Sequence, residues 1–344
     1  MSAEALAAPI LILGAPRSGT TWLAKIIDSH PDVLYRHEPD KLVPSPSHLT
    51  ADDVPGLVAR WAADRSPRSA SKLPFFRKSW QPVWAPGVKT VVAAVVGVAG
   101  RLPAPLNGLS RVPIPDFATR PPPRFAFKSI SWAGGAAIFA HALPDSRTIF
   151  ILRHPCGHVA SMIRGHREQR FDLTEQGSNM PFNEKAALRF SAGFGIAEAA
   201  FHALPDASKY AWNWRAFNEP VYAAVASEPN VHVVLYEALC AEPAALSRRL
   251  LNFAGLDWNR QTEAFVARST SYRGASGYYA ILRDAVASAE AWRTTMLPED
   301  QAAVRSVVSA SPLARFWPDL MNAASGAADH PLGDTAHSVS HRPT

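Results

Sequence analysis

Cysteine is scarce. The chain has two in 344 residues, Cys156 and Cys240, too few for a disulfide framework. A reducing, cytoplasmic setting is the expectation that follows. Long apolar runs are lacking too. None reaches the roughly 18 residues that a membrane span needs, and the closest, residues 91–100, falls short. The N-terminus carries Glu4 and no basic n-region, so no secretory signal is read there. No internal repeat and no nucleic-acid module is visible. The net charge of +6 and the pI near 9.5 are therefore read as attraction to an anionic ligand, with no nucleic-acid partner expected. His154, Cys156 and His158 alternate across a proline turn but lack a fourth ligand nearby, so no metal is expected.

What is present starts at residues 9–22, Pro-Ile-Leu-Ile-Leu-Gly-Ala-Pro-Arg-Ser-Gly-Thr-Thr-Trp. The apolar run 10–13 predicts a buried strand, residues 14–19 a turn-rich loop, and Thr20 the start of an amphipathic helix. Such an arrangement cradles phosphate, because free N–H groups and the helix dipole both face the anion. Gly14 and Gly19 have the spacing of a Walker A loop. The lysine that should follow is missing; Thr20 and Thr21 stand there, and the basic residue lies inside the loop as Arg17. A guanidinium can grip a phosphate or sulfonate with two parallel hydrogen bonds.

Pro16 to Trp22 resembles, position for position, the 5′-phosphosulfate loop of sulfotransferases that use 3′-phosphoadenosine 5′-phosphosulfate (PAPS). That family's second signature is an arginine at a strand end and a serine eight residues on in the next helix; Arg153 and Ser161 match the spacing. The resemblance implies an α/β, three-layer, P-loop-like fold with a central parallel sheet flanked by helices. It implies PAPS as co-substrate and no metal. Arg17, Ser18, Gly19, Thr20 and Thr21 would hold the 5′-phosphosulfate, Arg153 and Ser161 the 3′-phosphate. Trp22 and Tyr236 would lie on the adenine side, and Arg273 would close the 3′-phosphate loop.

Strands are predicted at 33–35, 124–128, 148–152 and 231–236, and helices at 133–142, from 155 through Ile163, across 183–227 with a break near Pro205, at 281–296 and at 299–309. Pro243 suits the first turn of another helix, and Trp212, Trp214 and Phe217 are read as core. A single domain is expected over residues 1–321, followed by a disordered tail over 322–344. Residues 40–123 read as a variable insertion, a candidate acceptor lid or else a peripheral helix pair with a long loop. Within it, 101–123 holds seven prolines and is expected to be mostly irregular.

The acceptor needs a base. Cytosolic members of the family carry a histidine two residues after the lysine matched by Lys128; here that position is Ile130. Arg36-His37-Glu38-Pro39 resembles instead the glutamate–proline of carbohydrate-type members, which points to Glu38, with His37 as the fallback. Alternation along an extended chain would send those two side chains opposite ways. The plainer alternative for Glu38 is an ion pair with a neighbouring arginine. Lys128 would contact the transferring sulfonate. The implied activity is sulfuryl transfer from PAPS to a hydroxyl or amine of a small-molecule, carbohydrate or lipid acceptor. A peripheral membrane contact and the oligomeric state stay open. A P-loop kinase or NTPase would need the loop lysine and a Mg²⁺-holding acid after a core strand. A non-catalytic nucleotide-binding relative is the third alternative.

Overall fold

The computed structural model describes residues 6–41, 49–70, 72–100, 102–103, 106–168, 182–270 and 285–321. Arg273, residues 281–284 of an expected helix, and the expected tail lie outside these residues.

Five strands, β1 (Ile10–Leu13), β2 (Val33–His37), β3 (Arg124–Ser129), β4 (Arg147–Leu152) and β5 (Val231–Leu235), form one sheet in the order β2-β3-β1-β4-β5. Every neighbouring pair is parallel. Side-chain parity explains the layers around it. Leu11 and Leu13 enter one core and Ile10 and Ile12 the other; Phe125 and Phe127 oppose Ala126, and Phe150 and Leu152 oppose Ile149 and Ile151. Two apolar faces require cover on both sides. Helices α1 (Thr20–Asp28), α2 (Asp53–Ala63), α3 (Ala85–Ala99), α4 (Ala136–Ala142) and α5 (Pro155–Arg167) lie within the βα connections. The expected α/β fold with a parallel sheet between helical layers is therefore the observed one.

Helix α1 stops where Pro31 requires, with Ser29 as its C-cap. The helical stretch after residue 183 is three helices, α6 (Glu184–Ala192), α7 (Glu198–Ala203) and α8 (Asp206–Val225). The chain therefore also breaks at 193–197, before the break at Pro205. Trp212 and Trp214 are buried and Phe217 packs against the same core. Two boundaries differ from expectation in ways that matter. β2 runs on to His37, which puts Glu38 immediately beyond a strand end. Tyr236 is not the last residue of β5 but the first of an unforeseen helix, α9 (Tyr236–Ala241), ahead of the one that Pro243 opens.

The long β2–β3 connection is anchored from within. Arg36 of β2 is fully buried, and its NH1 and NH2 donate to the two carboxylate oxygens of Asp116 at 3.0 and 2.7 Å. Its Nε and NH2 also donate to the Ala62 carbonyl of α2. Residues 112–123 carry no helix or strand, as their prolines predict, and a six-residue 3-10 turn, Leu106–Arg111, precedes them.

Candidate active site

Parallel strands bring all their C-terminal ends to one side of a sheet, and ligands of open α/β folds lie there. Here β1 delivers the glycine loop, β2 delivers Glu38, β3 Lys128, β4 Arg153 and β5 Tyr236.

The loop is tight by necessity. A Cβ on Gly14 would sit 2.7–2.8 Å from Ile151 and Thr20, and Gly19, at φ 90°, would drive one into the Tyr236 ring. Only glycine takes both the dihedral and the approach. Gly19 is the N-cap of α1 and provides no side-chain cap. Among the described residues the N–H groups of Gly19, Thr20 and Thr21 have no acceptor, which is the anion-binding condition. Ser18 is buried with its hydroxyl unpartnered.

Arg17, at φ 69°, ties the two expected phosphate motifs together. Its Nε donates to Ser161 Oγ at 3.1 Å, and its carbonyl accepts from Arg153 NH1 at 2.8 Å. The Arg153 guanidinium lies 4.7 Å from the centroid of the Tyr236 ring, and its NH2 donates to the Ser288 carbonyl. Trp22 is almost wholly buried on the inner face of α1. Its indole N–H donates to Ser269 Oγ at 3.0 Å, and its ring meets Tyr236 edge-on. Trp22 is thus a core anchor wherever an adenine lies.

At the other end of the sheet, His37 and Lys128 are partners in the β2–β3 register, and the Glu38 N–H donates to the Lys128 carbonyl at 3.0 Å. Glu38 sits at φ 50°. That turn overrides the alternation of an extended chain: His37 Nε2 and Glu38 Oε1 come within 3.6 Å, on the same side. The expectation that they diverge is corrected by this one dihedral. Among the described residues no arginine pairs with Glu38. Lys128 Nζ bonds its Oε1, and Lys41 Nζ lies 2.8 Å from its Oε2; Arg36 is taken by Asp116.

Burial alone would raise the Glu38 pKa, but Lys128, His37 and Lys41 overcome it and hold the carboxyl far below its usual range. His37 is pushed well below the ordinary histidine value by burial and Lys128, so its ring is neutral. The Tyr35 hydroxyl lies 2.9 Å from His37 Nδ1 and has no other partner among the described residues. In the tautomer in which Tyr35 donates to Nδ1, the imidazole proton lies on Nε2, facing Glu38. The carboxylate is then the proton acceptor of the pair.

Three contributors were not singled out in the sequence. Lys41 follows Glu38 by three residues, a spacing that a short turn closes. Lys72 comes from the β2–β3 connection; desolvation of its amine lowers its pKa against the pull of Glu38, with Lys41 and Arg17 repelling it. It therefore lies within the field of both halves of the site. Glu237 accepts from the His154 N–H and from the Trp317 indole, fixing the turn after Arg153.

His154 Nδ1 accepts from the Cys156 N–H and so caps α5, while Nε2 faces Asp319 at 3.3 Å. Burial pushes the Cys156 thiol up to about 12. Burial, with Arg153 and Arg17 nearby, holds His158 down at about 3. Among the described residues no three His, Cys, Asp or Glu side chains converge as metal ligands.

Solved structures similar to the chain include the sulfotransferase domain of the Synechococcus PCC 7002 olefin synthase (17% identity, TM-score 0.42, covering 87% of this chain and 94% of that one). A mouse sulfotransferase, SULT7A1, complexed with PAP is similar at 14% identity and TM-score 0.44, covering 92% and 94%. A sulfotransferase from Alicyclobacillus acidocaldarius is similar at 15% and 0.36, covering 88% and 95%. No curated protein sequence matches the chain. The model of the sulfotransferase family matches residues 9–260, from the first residue before β1 to the start of the helix Arg260–Thr270. That span holds the five described strands together with Arg17, Glu38, Lys128, Arg153, Ser161 and Tyr236, and the chain belongs to the sulfotransferase family.

Proposed function

We propose that this sulfotransferase takes its sulfuryl group from PAPS and passes it to a hydroxyl or amine of a small-molecule, carbohydrate or lipid acceptor. PAPS supplies an SO₃ group on a phosphate leaving group; the chain supplies position and charge. The Gly14–Thr21 loop fits a phosphate, since the N–H groups of Gly19, Thr20 and Thr21 lack acceptors among the described residues. Ser18, Gly19, Thr20, Thr21 and the start of α1 bind the 5′-phosphate; the Ser18 hydroxyl is buried and unpartnered there. Arg17 and Lys128 neutralise charge on the sulfonate and the leaving oxygen. Arg153 and Ser161 bind the 3′-phosphate, next to Tyr236 and Trp22 on the adenine side, and Arg273 closes that end.

Glu38 takes the acceptor proton while Lys128 and Lys41 keep it ionised. Transfer through a loose transition state, by analogy with phosphoryl transfer, needs placement more than a strong base. No metal and no nucleic acid enters this scheme. Residues 40–123 border the acceptor; Lys72, which reaches the field of Glu38, supports that reading.

The observation that carries the proposal is Arg17 joining Ser161 and Arg153 at the lip of the glycine loop. Calorimetry tests it. Adenosine 3′,5′-bisphosphate should bind far more tightly than AMP or ATP, and Arg153→Ala should remove most of that preference because a charge-assisted pair is lost. Equal affinity for AMP and the bisphosphate in the native protein overturns it.

A further inference from the structure

We propose that α3 and its flanks are a docking surface for an anionic lipid bilayer. The helix Ala85–Ala99 is held down along a single stripe, Ala85, Lys89, Val96 and Ala99. The opposite half of its circumference is open. Trp84, Val91, Val95 and Val98 are each more than half exposed (56, 62, 53 and 56%), and Val88 is exposed beside them. Among the described residues no charged side chain of α3 lies on that face. Its one polar residue, Thr90, turns its hydroxyl back to the Pro86 carbonyl at 2.8 Å. Val83, Leu102 and Val112 extend the exposed apolar surface at either end. Single exposed valines need no explanation, but a contiguous apolar face does.

The charge around the face says what covers it. From Arg65 to Pro115 the chain has eight basic residues (Arg65, Arg68, Lys72, Arg77, Lys78, Lys89, Arg101, Arg111) and no Asp or Glu. The whole chain has 35 basic and 29 acidic residues, a net of +6, so everything outside this segment carries 27 against 29, a net of −2. Not all of this charge reaches the surface: Lys78 pairs with the buried Asp28, Lys89 lies on the buried stripe of α3, and Arg65 pairs with Asp116. Arg65, Arg77 and Arg111 are exposed, and the turn ending in Arg111 packs back along α3.

An uncharged helix face within a basic surround, with a tryptophan at one end, is the pattern of an interfacial helix on anionic lipid. Trp84, Val88, Val91, Val95, Val98 and Leu102 also alternate by four and three, the spacing of a helix–helix seam. A second copy, however, would bring two such positive segments together, which opposes association. Residues 322–344 contain only Leu332 and Val339 as large aliphatic residues, too little to cover the face. The inference does not depend on which sulfuryl donor or acceptor is used.

Vesicle sedimentation with the full chain tests it. The protein should pellet with vesicles of phosphatidylcholine containing about a third phosphatidylserine at about 0.1 M salt, and should leave them as salt screens the attraction. It should stay in solution with phosphatidylcholine alone. Val91→Asp/Val95→Asp alters two exposed positions and should lower partitioning roughly tenfold or more, with bisphosphate affinity and circular dichroism unchanged. A protein that ignores the anionic vesicles overturns the proposal. So does undiminished binding by the double variant. So does a dimer, seen by sedimentation equilibrium without lipid, that the double variant dissociates; the face would then belong to a second copy.

Discussion

Glu38 owes its place to a single backbone angle. At φ 50° it leaves the line of β2 and turns its carboxylate to Lys128 and Lys41 rather than away from His37. Glu38→Gln keeps the shape and removes the basicity. kcat should fall by about 10² to 10⁴, with bisphosphate affinity nearly unchanged, while His37→Ala should do much less. The base must be ionised to act, and its pKa is depressed, so activity is present above the usual carboxylate range and is lost only below it. Rate profiles should therefore be flat on this account from pH 5 to 7. A dead His37→Ala beside a near-normal Glu38→Gln would move the base to His37. Asp40 shows the opposite shift. Its carboxylate is buried beside Glu38, and burial raises its pKa from 3.8 to about 6 despite the bond from Ser129 Oγ at 2.7 Å. A carboxyl whose folded pKa is raised favours the fold below its unfolded pKa, and that contribution fades as pH rises through the folded value. Asp40→Asn should therefore leave stability unchanged near pH 3. Its advantage should grow between about pH 4 and 6 and level off above, at up to about 3 kcal/mol. Thermal melts across that range check it.

Elements are placed by pairs as much as by apolar faces. Arg36 joins β2 to the end of α2 and to Asp116 of the proline-rich stretch, all buried. The bidentate geometry with two further bonds to Ala62 satisfies a charge that water cannot reach. Breaking it from one side leaves that charge unpaired, and Asp116→Ala should lose about 3–5 kcal/mol in urea denaturation. Replacing both partners, Arg36→Met with Asp116→Leu, should restore most of it, because an apolar pair of similar size needs no compensation. Equal loss in the single and double variants would show that the pair does not anchor the segment. At the opposite sheet edge, Tyr236 opens α9 instead of ending β5, which slides its ring under Gly19 and beneath the Arg153 guanidinium. The strand's apolar run continues through that tyrosine, so periodicity alone carried the expected strand one residue too far.

At the scale of the whole molecule, parallel strands bring the ends of β1 to β5 to one side of the sheet, and in the proposed scheme the charge there is assigned to arginines and lysines rather than to Mg²⁺. Turnover should accordingly be equal in EDTA and in Mg²⁺; loss in EDTA restored by Mg²⁺ would favour kinase-like chemistry. The glycine loop, the parity of the strands and the Arg153–Ser161 spacing are legible along the chain. Each of these is written in consecutive residues, through dihedral limits, a period of two, or a helix of fixed rise. The tertiary structure alone decided which charges meet: Lys128 with Glu38 from 90 residues away, and Asp116 with Arg36 from 80. It also decided that Arg17 reaches Ser161 and that His37 and Glu38 share a side. Residues 91–100 read in the sequence as an apolar run; only the packing of one stripe of the helix Ala85–Ala99 decided which half is exposed. Local pattern specifies what a segment can form, whereas burial and long-range pairing depend on which surfaces the finished fold brings together.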